Sequence, residues 1–193
     1  MSSDLDALRK TVISCIKCEL SKSRINAVPG HGSAKTEVIF IGEAPGRNED
    51  LQGVPFVGTA GKILSEALAY AGFTREDVYI TNVVKCRPPN NRRPNTQELD
   101  SCRNYLQKEL DIIRPKIICI LGNTAFGSLL NGNAITKNRG KIIQRDGQLY
   151  FVTIHPAAVI YNQELRQVLK DDLKMLFDVL DKIKKGIAIE INE

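Results

Sequence analysis

The chain has 193 residues, 42% of them hydrophobic, with 27 Lys and Arg against 22 Asp and Glu and a net charge of +5, which is enough apolar material for a sizeable core within one domain spanning 1–193. The longest apolar runs, Val38 to Ile41 and Ile117 to Leu121, fall far short of the roughly 18 residues that would cross a bilayer, and Met1-Ser2-Ser3-Asp4-Leu5-Asp6 lacks the basic and then apolar regions of a secretory signal. Neither a membrane-spanning nor a secreted protein is expected, but a cytoplasmic, nucleoid-associated one, and the positive balance favours a polyanionic partner.

In chain order, the first signal is a C-x2-C pair, Cys15 and Cys18. Val38 to Gly42 follows as a β-branched run that reads as a buried strand and ends in the turn Gly42-Glu43-Ala44-Pro45-Gly46. Ile63, Leu64, Ala67, Leu68 and Ala71 then make one helical stripe, with Gly72 as its cap. A second strand, Val78 to Val84, runs through Asn82 into Lys85-Cys86-Arg87-Pro88-Pro89, and the Pro-, Asn- and Arg-rich stretch from Arg87 to Pro94 reads as an irregular loop. Asn95-Thr96-Gln97-Glu98 resembles a capping box opening a helix that carries Leu99, Cys102, Leu106, Leu110 and Ile113 and stops before Pro115. Strands Ile117 to Leu121 and Leu149 to Ile154 come next, the latter running into His155-Pro156-Ala157-Ala158. Gln163 to Lys184 is an amphipathic helix.

Strands alternating with helices imply parallel crossovers. The expected fold is therefore α/β, a three-layer α/β/α sandwich around a mainly parallel four-stranded sheet. In such a sheet the functional loops gather beyond the carboxyl ends of the strands, where the turns after Gly42, Asn82 and Ile154 converge.

Five cysteines in a non-secreted chain favour a metal or redox site over disulfides. Four thiolates suit either zinc or an iron–sulfur cluster, and spacing leaves that choice open. Cys102, on an apolar helical face, also reads as a small core residue, and Cys119, inside an apolar strand, reads as nothing else.

Together these segments carry a specific resemblance. Gly42 to Gly46, Gly53-Val54-Pro55-Phe56-Val57-Gly58, Asn82, Lys85 to Pro89, His155-Pro156 and the four spaced cysteines, in this order, are similar to the family 4, iron–sulfur uracil-DNA glycosylases from about Cys15 to the C-terminal helix. The resemblance implies a structural four-iron four-sulfur cluster on Cys15, Cys18, Cys86 and Cys102, with Cys119 unliganded. It implies uracil-containing DNA as substrate, free uracil as product and a monomer, and leaves a sliding-clamp partner open. Arg87, Arg92, Arg93 and neighbouring lysines would contact phosphates.

By the same resemblance, Phe56 stacks on the flipped base, Asn82 distinguishes uracil from cytosine, and His155 donates to the departing base's O2. Gly42 and Ala44 lie in the turn that approaches the base. The aspartate that serves as general base elsewhere in the superfamily is replaced by Ala44, so Glu43, then Glu49, are the available carboxylates, with Asn91 as a water-positioning group. Two other readings compete: a non-catalytic uracil- or single-strand-binding iron–sulfur module, and a flavodoxin-like electron carrier, which leaves Asn82 and His155 without roles.

Overall fold

In the computed structural model, which describes residues 3–192, strands and helices alternate along the chain. Met1 and Ser2, which open the segment read as lacking a secretory signal, lie outside that span. The strands are β1 (His31–Gly32), β2 (Val38–Gly42), β3 (Tyr79–Asn82), β4 (Ile117–Leu121), β5 (Ile142–Arg145) and β6 (Gln148–Thr153). The helices are α1 (Ser3–Ile13), α2 (Leu20–Ser23), α3 (Arg47–Gln52), α4 (Thr59–Tyr70), α5 (Thr96–Ile113), α6 (Asn123–Leu130), α7 (Ile135–Asn138), α8 (Ala158–Tyr161) and α9 (Leu165–Lys184). None of the described helices is long and apolar enough to cross a membrane.

The sheet runs β1-β3-β2-β4-β6-β5. Its four central strands are parallel and are the four expected from sequence, while β1 and β5 add antiparallel edges. Both edges lack the uniform apolar run of a buried strand: β1 has two residues, and Gln144 and Arg145 of β5 are exposed. Short or polar edge strands are how open sheets discourage pairing with another chain.

Side-chain alternation builds the two outer layers. Val38 and Phe40 of β2, with Ile117, Cys119 and Leu121 of β4, point to a core completed by α4, α8 and α9. Ile39, Ile41, Ile118 and Ile120 point the other way, to a core made with α1, α5, α6 and α7. Each fully buried aliphatic or aromatic side chain contributes about 1.5–3 kcal/mol, so two filled faces fix the register of every central strand.

The helix signals act as their chemistry requires. Asn95 Oδ1 accepts the Glu98 N–H at 2.9 Å and Glu98 Oε2 accepts the Asn95 N–H at 2.9 Å, a reciprocal capping box on α5. Gly72, with φ of +85°, closes α4. The Arg87–Pro94 loop is irregular except for one 3-10 turn, Pro89–Asn91, in which Asn90 and Asn91 adopt left-handed φ values of 55° and 53°.

Candidate active site

The connection from β2 crosses to β3 on one side of the sheet, and the chain then returns to place β4 on the other side of β2. This reversal of strand order opens a crevice at the carboxyl edge. A cavity of about 400 Å³ lies there, its walls including Ala44, Glu49, Phe56, Asn82, Asn91 and His155. The connections after β2, α3, β3 and β6 thus bring together residues as far apart in sequence as Ala44 and His155.

Asn82 ends β3 opposite Gly42 of β2. It is 2% exposed, and its Oδ1 is a buried side-chain polar atom without a hydrogen-bond partner among the described residues. Such an atom costs the full desolvation of an acceptor unless something fills it, so its presence at a cavity wall marks a ligand position. Gly42 lies beneath: a Cβ there would meet Asn82 Oδ1 at 2.6 Å and Phe56 Cζ at 2.6 Å.

Phe56 has a left-handed φ of 53°, a conformation that costs a bulky residue about 1–3 kcal/mol. Its surroundings impose it. Arg75 donates to Pro55 O and Phe56 O, both at 2.8 Å, and Gly61 of α4 lies so close that any Cβ would fall on the Phe56 carbonyl. Glu49 completes the clamp: its Oε1 accepts the Val57 and Gly58 N–H groups at 2.9 and 2.7 Å, and its Oε2 accepts the Gly46 N–H at 3.0 Å. Glu49 therefore lines the cavity with its carboxylate already committed to three backbone donors.

His155 follows β6, its ring 5.6 Å from that of Phe56. The Ala157 N–H donates to His155 Nδ1 at 3.1 Å. An Nδ1 that accepts leaves the ring proton on Nε2. Burial lowers the imidazole pKa from 6.5 to about 4, against an opposing influence of Glu49, so the ring is neutral at pH 7 with one N–H to donate.

The remaining expected residues divide. Ala44 and Asn91 line the cavity, and Asn91 Oδ1 is held by Arg87 Nε at 2.8 Å. Glu43 is half-buried and is absent from the cavity wall. Arg92 spends its guanidinium on Glu98 in a two-pronged pair at 2.6 and 2.9 Å, so it is not the free cation expected from the sequence. Lys85, the lysine beside this loop, is buried at 1% exposure. Its ammonium meets Glu109 Oε2 at 2.7 Å, Thr81 Oγ1 at 2.6 Å and the Asn82 carbonyl at 2.9 Å. Sequence reasoning missed this arrangement because a lysine beside arginines reads as surface charge, and its partner is 24 residues away.

The thiols separate by sheet face. Cys86 and Cys102 are buried in the α1/α5 core, with Cys15 and Cys18 packed against it, whereas Cys119 lies in the core on the opposite face. Among the described residues no three His, Cys, Asp or Glu side chains form a ready metal site. The donor chemistry around the four nonetheless suits a thiolate-bound group: Arg24 Nη1 donates to Cys86 Sγ at 2.9 Å, and the Lys85 and Lys17 N–H groups donate to Cys102 and Cys15 Sγ, each at 3.5 Å. Hydrogen bonds of this kind stabilise negative charge on ligating sulfur.

Residues 29–177 match the Uracil DNA glycosylase superfamily. The chain is 46% identical to a type-4 uracil-DNA glycosylase of Archaeoglobus fulgidus, over 92% of this chain and 94% of that protein. It is 47% identical to a type-4 enzyme of Sulfurisphaera tokodaii, over 89% and 83% of the two chains. A third type-4 enzyme, from Thermotoga maritima, is 42% identical over 88% and 91%. The chain belongs to the type-4 uracil-DNA glycosylase family. The α/β fold expected from the motifs is the fold of this type-4 family member. Its cavity gathers six of the expected residues, Ala44, Glu49, Phe56, Asn82, Asn91 and His155.

Proposed function

We propose that this chain hydrolyses the bond between uracil and deoxyribose in single- or double-stranded DNA, initiating base excision repair, and that residues 1–193 act as one intracellular, monomeric glycosylase domain. The observation that carries the reading is Asn82, whose Oδ1 is a buried acceptor with no partner among the described residues, in the wall of a cavity that also presents an aromatic ring and a neutral imidazole.

A base stacked in a duplex cannot reach such a cavity, so the nucleotide must be flipped into it. Phe56 offers its ring face to the base, which holds any base about equally well. Selection falls to Asn82: Oδ1 accepts uracil N3–H while Nδ2 donates to O4. Cytosine presents an acceptor at N3 and a donor at N4, so both contacts reverse.

Cleavage breaks the bond between C1′ of the sugar and N1 of the base, and the bonding pair leaves with uracil. Charge gathers on O2, where His155 Nε2–H donates. A neutral donor fixed beforehand costs no reorganisation as that charge develops. Water then gives its hydroxyl to C1′ and its proton to the medium. We assign the placing of that water to Asn91, whose amide is oriented by Arg87. Glu49 positions the Phe56 segment, and Glu43 belongs to the turn beside the cavity without entering its wall.

Cys15, Cys18, Cys86 and Cys102 would hold a four-iron four-sulfur cluster, whose contribution is to fasten the N-terminal segment to the end of β3 and to α5. The test is incubation with a uracil-containing oligonucleotide, expected to release free uracil and leave alkali-labile abasic sites. Tight binding without such sites would replace this reading with the non-catalytic one.

A further inference from the structure

The buried pair Lys85 and Glu109 has no part in the chemistry above, yet both residues are 1% exposed and fully hydrogen-bonded. Besides Lys85, Glu109 receives the Gly30 N–H at 3.0 Å, the Tyr79 hydroxyl at 3.2 Å and the Thr81 hydroxyl at 2.9 Å. Removing two charges from water offsets most of their attraction, so such a pair is a poor source of stability, and its value lies in fixing geometry. What it fixes is specific. Asn82 is the last residue of β3, where the ladder ends, and Lys85 Nζ supplies the donor for its carbonyl at 2.9 Å.

We propose that Lys85, held by Glu109 and Thr81, is a positioning residue that sets the Asn82 amide against the base. This rests on the uracil-excising reading. The lysine reaches back three residues along its own turn to grip the Asn82 backbone, while α5, carrying Glu109, anchors the ammonium from behind. The amide is thereby located from the backbone side, and its Oδ1 is left without a partner among the described residues.

Lys85→Met alone strands a buried carboxylate and threatens the fold, so the test uses the charge-free pair Lys85→Met/Glu109→Gln, with Thr81→Val as a milder second probe. Single-turnover excision from uracil-containing strands is measured in the wild-type and the Asn82→Ala backgrounds, with thermal melting and DNA affinity as controls. A displacement of about 1 Å costs up to about a hundredfold in rate, so the paired variant is expected to lose tenfold or more in the wild-type background, with DNA affinity kept within twofold. In the Asn82→Ala background the same pair should change the rate by less than twofold, because the residue it acts through is gone.

Thr81→Val should follow the same pattern with a smaller loss. An equal loss in both backgrounds, or a folded paired variant of wild-type rate, overturns the proposal. Should the paired variant not fold, Thr81→Val decides by the same comparison. Absence of uracil release by the wild-type protein would refute the functional reading itself, and this proposal with it.

Discussion

Gly42 and Asn82 face each other across the parallel pairing of β2 and β3, and a Cβ on Gly42 would stand 2.6 Å from Asn82 Oδ1. The bare Cα thus preserves room for an amide whose acceptor has no partner among the described residues. On the proposed reading, base selection depends on an absence on one strand as much as on a side chain on the next.

Asn82→Asp keeps the shape of that amide and removes its donor. Uracil excision should fall by about ten- to a hundredfold, matching the roughly 1–3 kcal/mol of a mispaired buried polar contact, while cytosine becomes a relatively better substrate. Single-turnover rates on uracil- and cytosine-containing strands check this. An unchanged ratio in folded protein would return Asn82 to a strand-ending role.

Gly61→Ala tests the clamp on Phe56. The added methyl group falls on the Phe56 carbonyl, so either α4 or the left-handed turn at Phe56 must shift. Excision should drop at least tenfold, together with thermal stability. A crystal structure of the variant with Phe56 unmoved and full activity would contradict the assignment.

Acid should weaken the protein through His155. Its folded pKa, about 4, lies below its ordinary 6.5 because burial disfavours the cation. Between those values the unfolded chain takes up a proton that the folded chain refuses, so stability is fully present above pH 6.5 and declines as pH falls towards 4. His155→Gln should lessen that decline, measured as urea midpoints at pH 7 and pH 5, and should also slow excision at pH 7. A wild-type midpoint that does not fall between pH 7 and pH 5 would place the imidazole in a wetter site.

The purified protein should be brown, with broad absorbance near about 400 nm from sulfur-to-iron charge transfer. Cys86→Ser should bleach it, and Cys119→Ser, on the other face of the sheet, should not. Stoichiometric zinc without iron or sulfide after anaerobic preparation would defeat the cluster assignment.

Arginines in the loop before α5 should separate by role. Arg93→Ala is expected to reduce the salt dependence of DNA binding by about one counterion. Arg92→Ala should leave that slope unchanged and lower stability, since it deprives the buried Glu98 of its partner and loosens the α5 cap. The reverse pattern would restore Arg92 to the phosphate surface.

The parts of this fold legible in sequence are those whose signal is local. Unbroken β-branched runs mark β2 and β4, and Asn95 with Glu98 announces α5. β5 escapes because its inward Ile142 is followed by exposed Gln144 and Arg145, so it reads as a loop. Within the site, Asn82, Phe56 and His155 stand in short recognisable segments. Glu49, Lys85 and Arg92 carry charges whose ordinary fate is solvent, and only folding reveals the backbone donors or distant carboxylates that hold them. Glu43 shows the converse: a carboxylate beside the right motif need not reach the cavity.

The spread of the four thiols along the chain has a bearing on biosynthesis. Cys15 and Cys18 emerge from the ribosome early, but Cys102 lies past the midpoint of the 193 residues, and translation at about 5–20 residues per second leaves an interval of several seconds between them. Throughout that time the first pair lacks a complete α5 to pack against, and for most of it the end of β3 as well. If the four thiols hold the proposed cluster, its iron is expected to arrive only after the synthesis of α5, and a nascent chain stalled before it would present unprotected thiols to oxidants and to adventitious zinc.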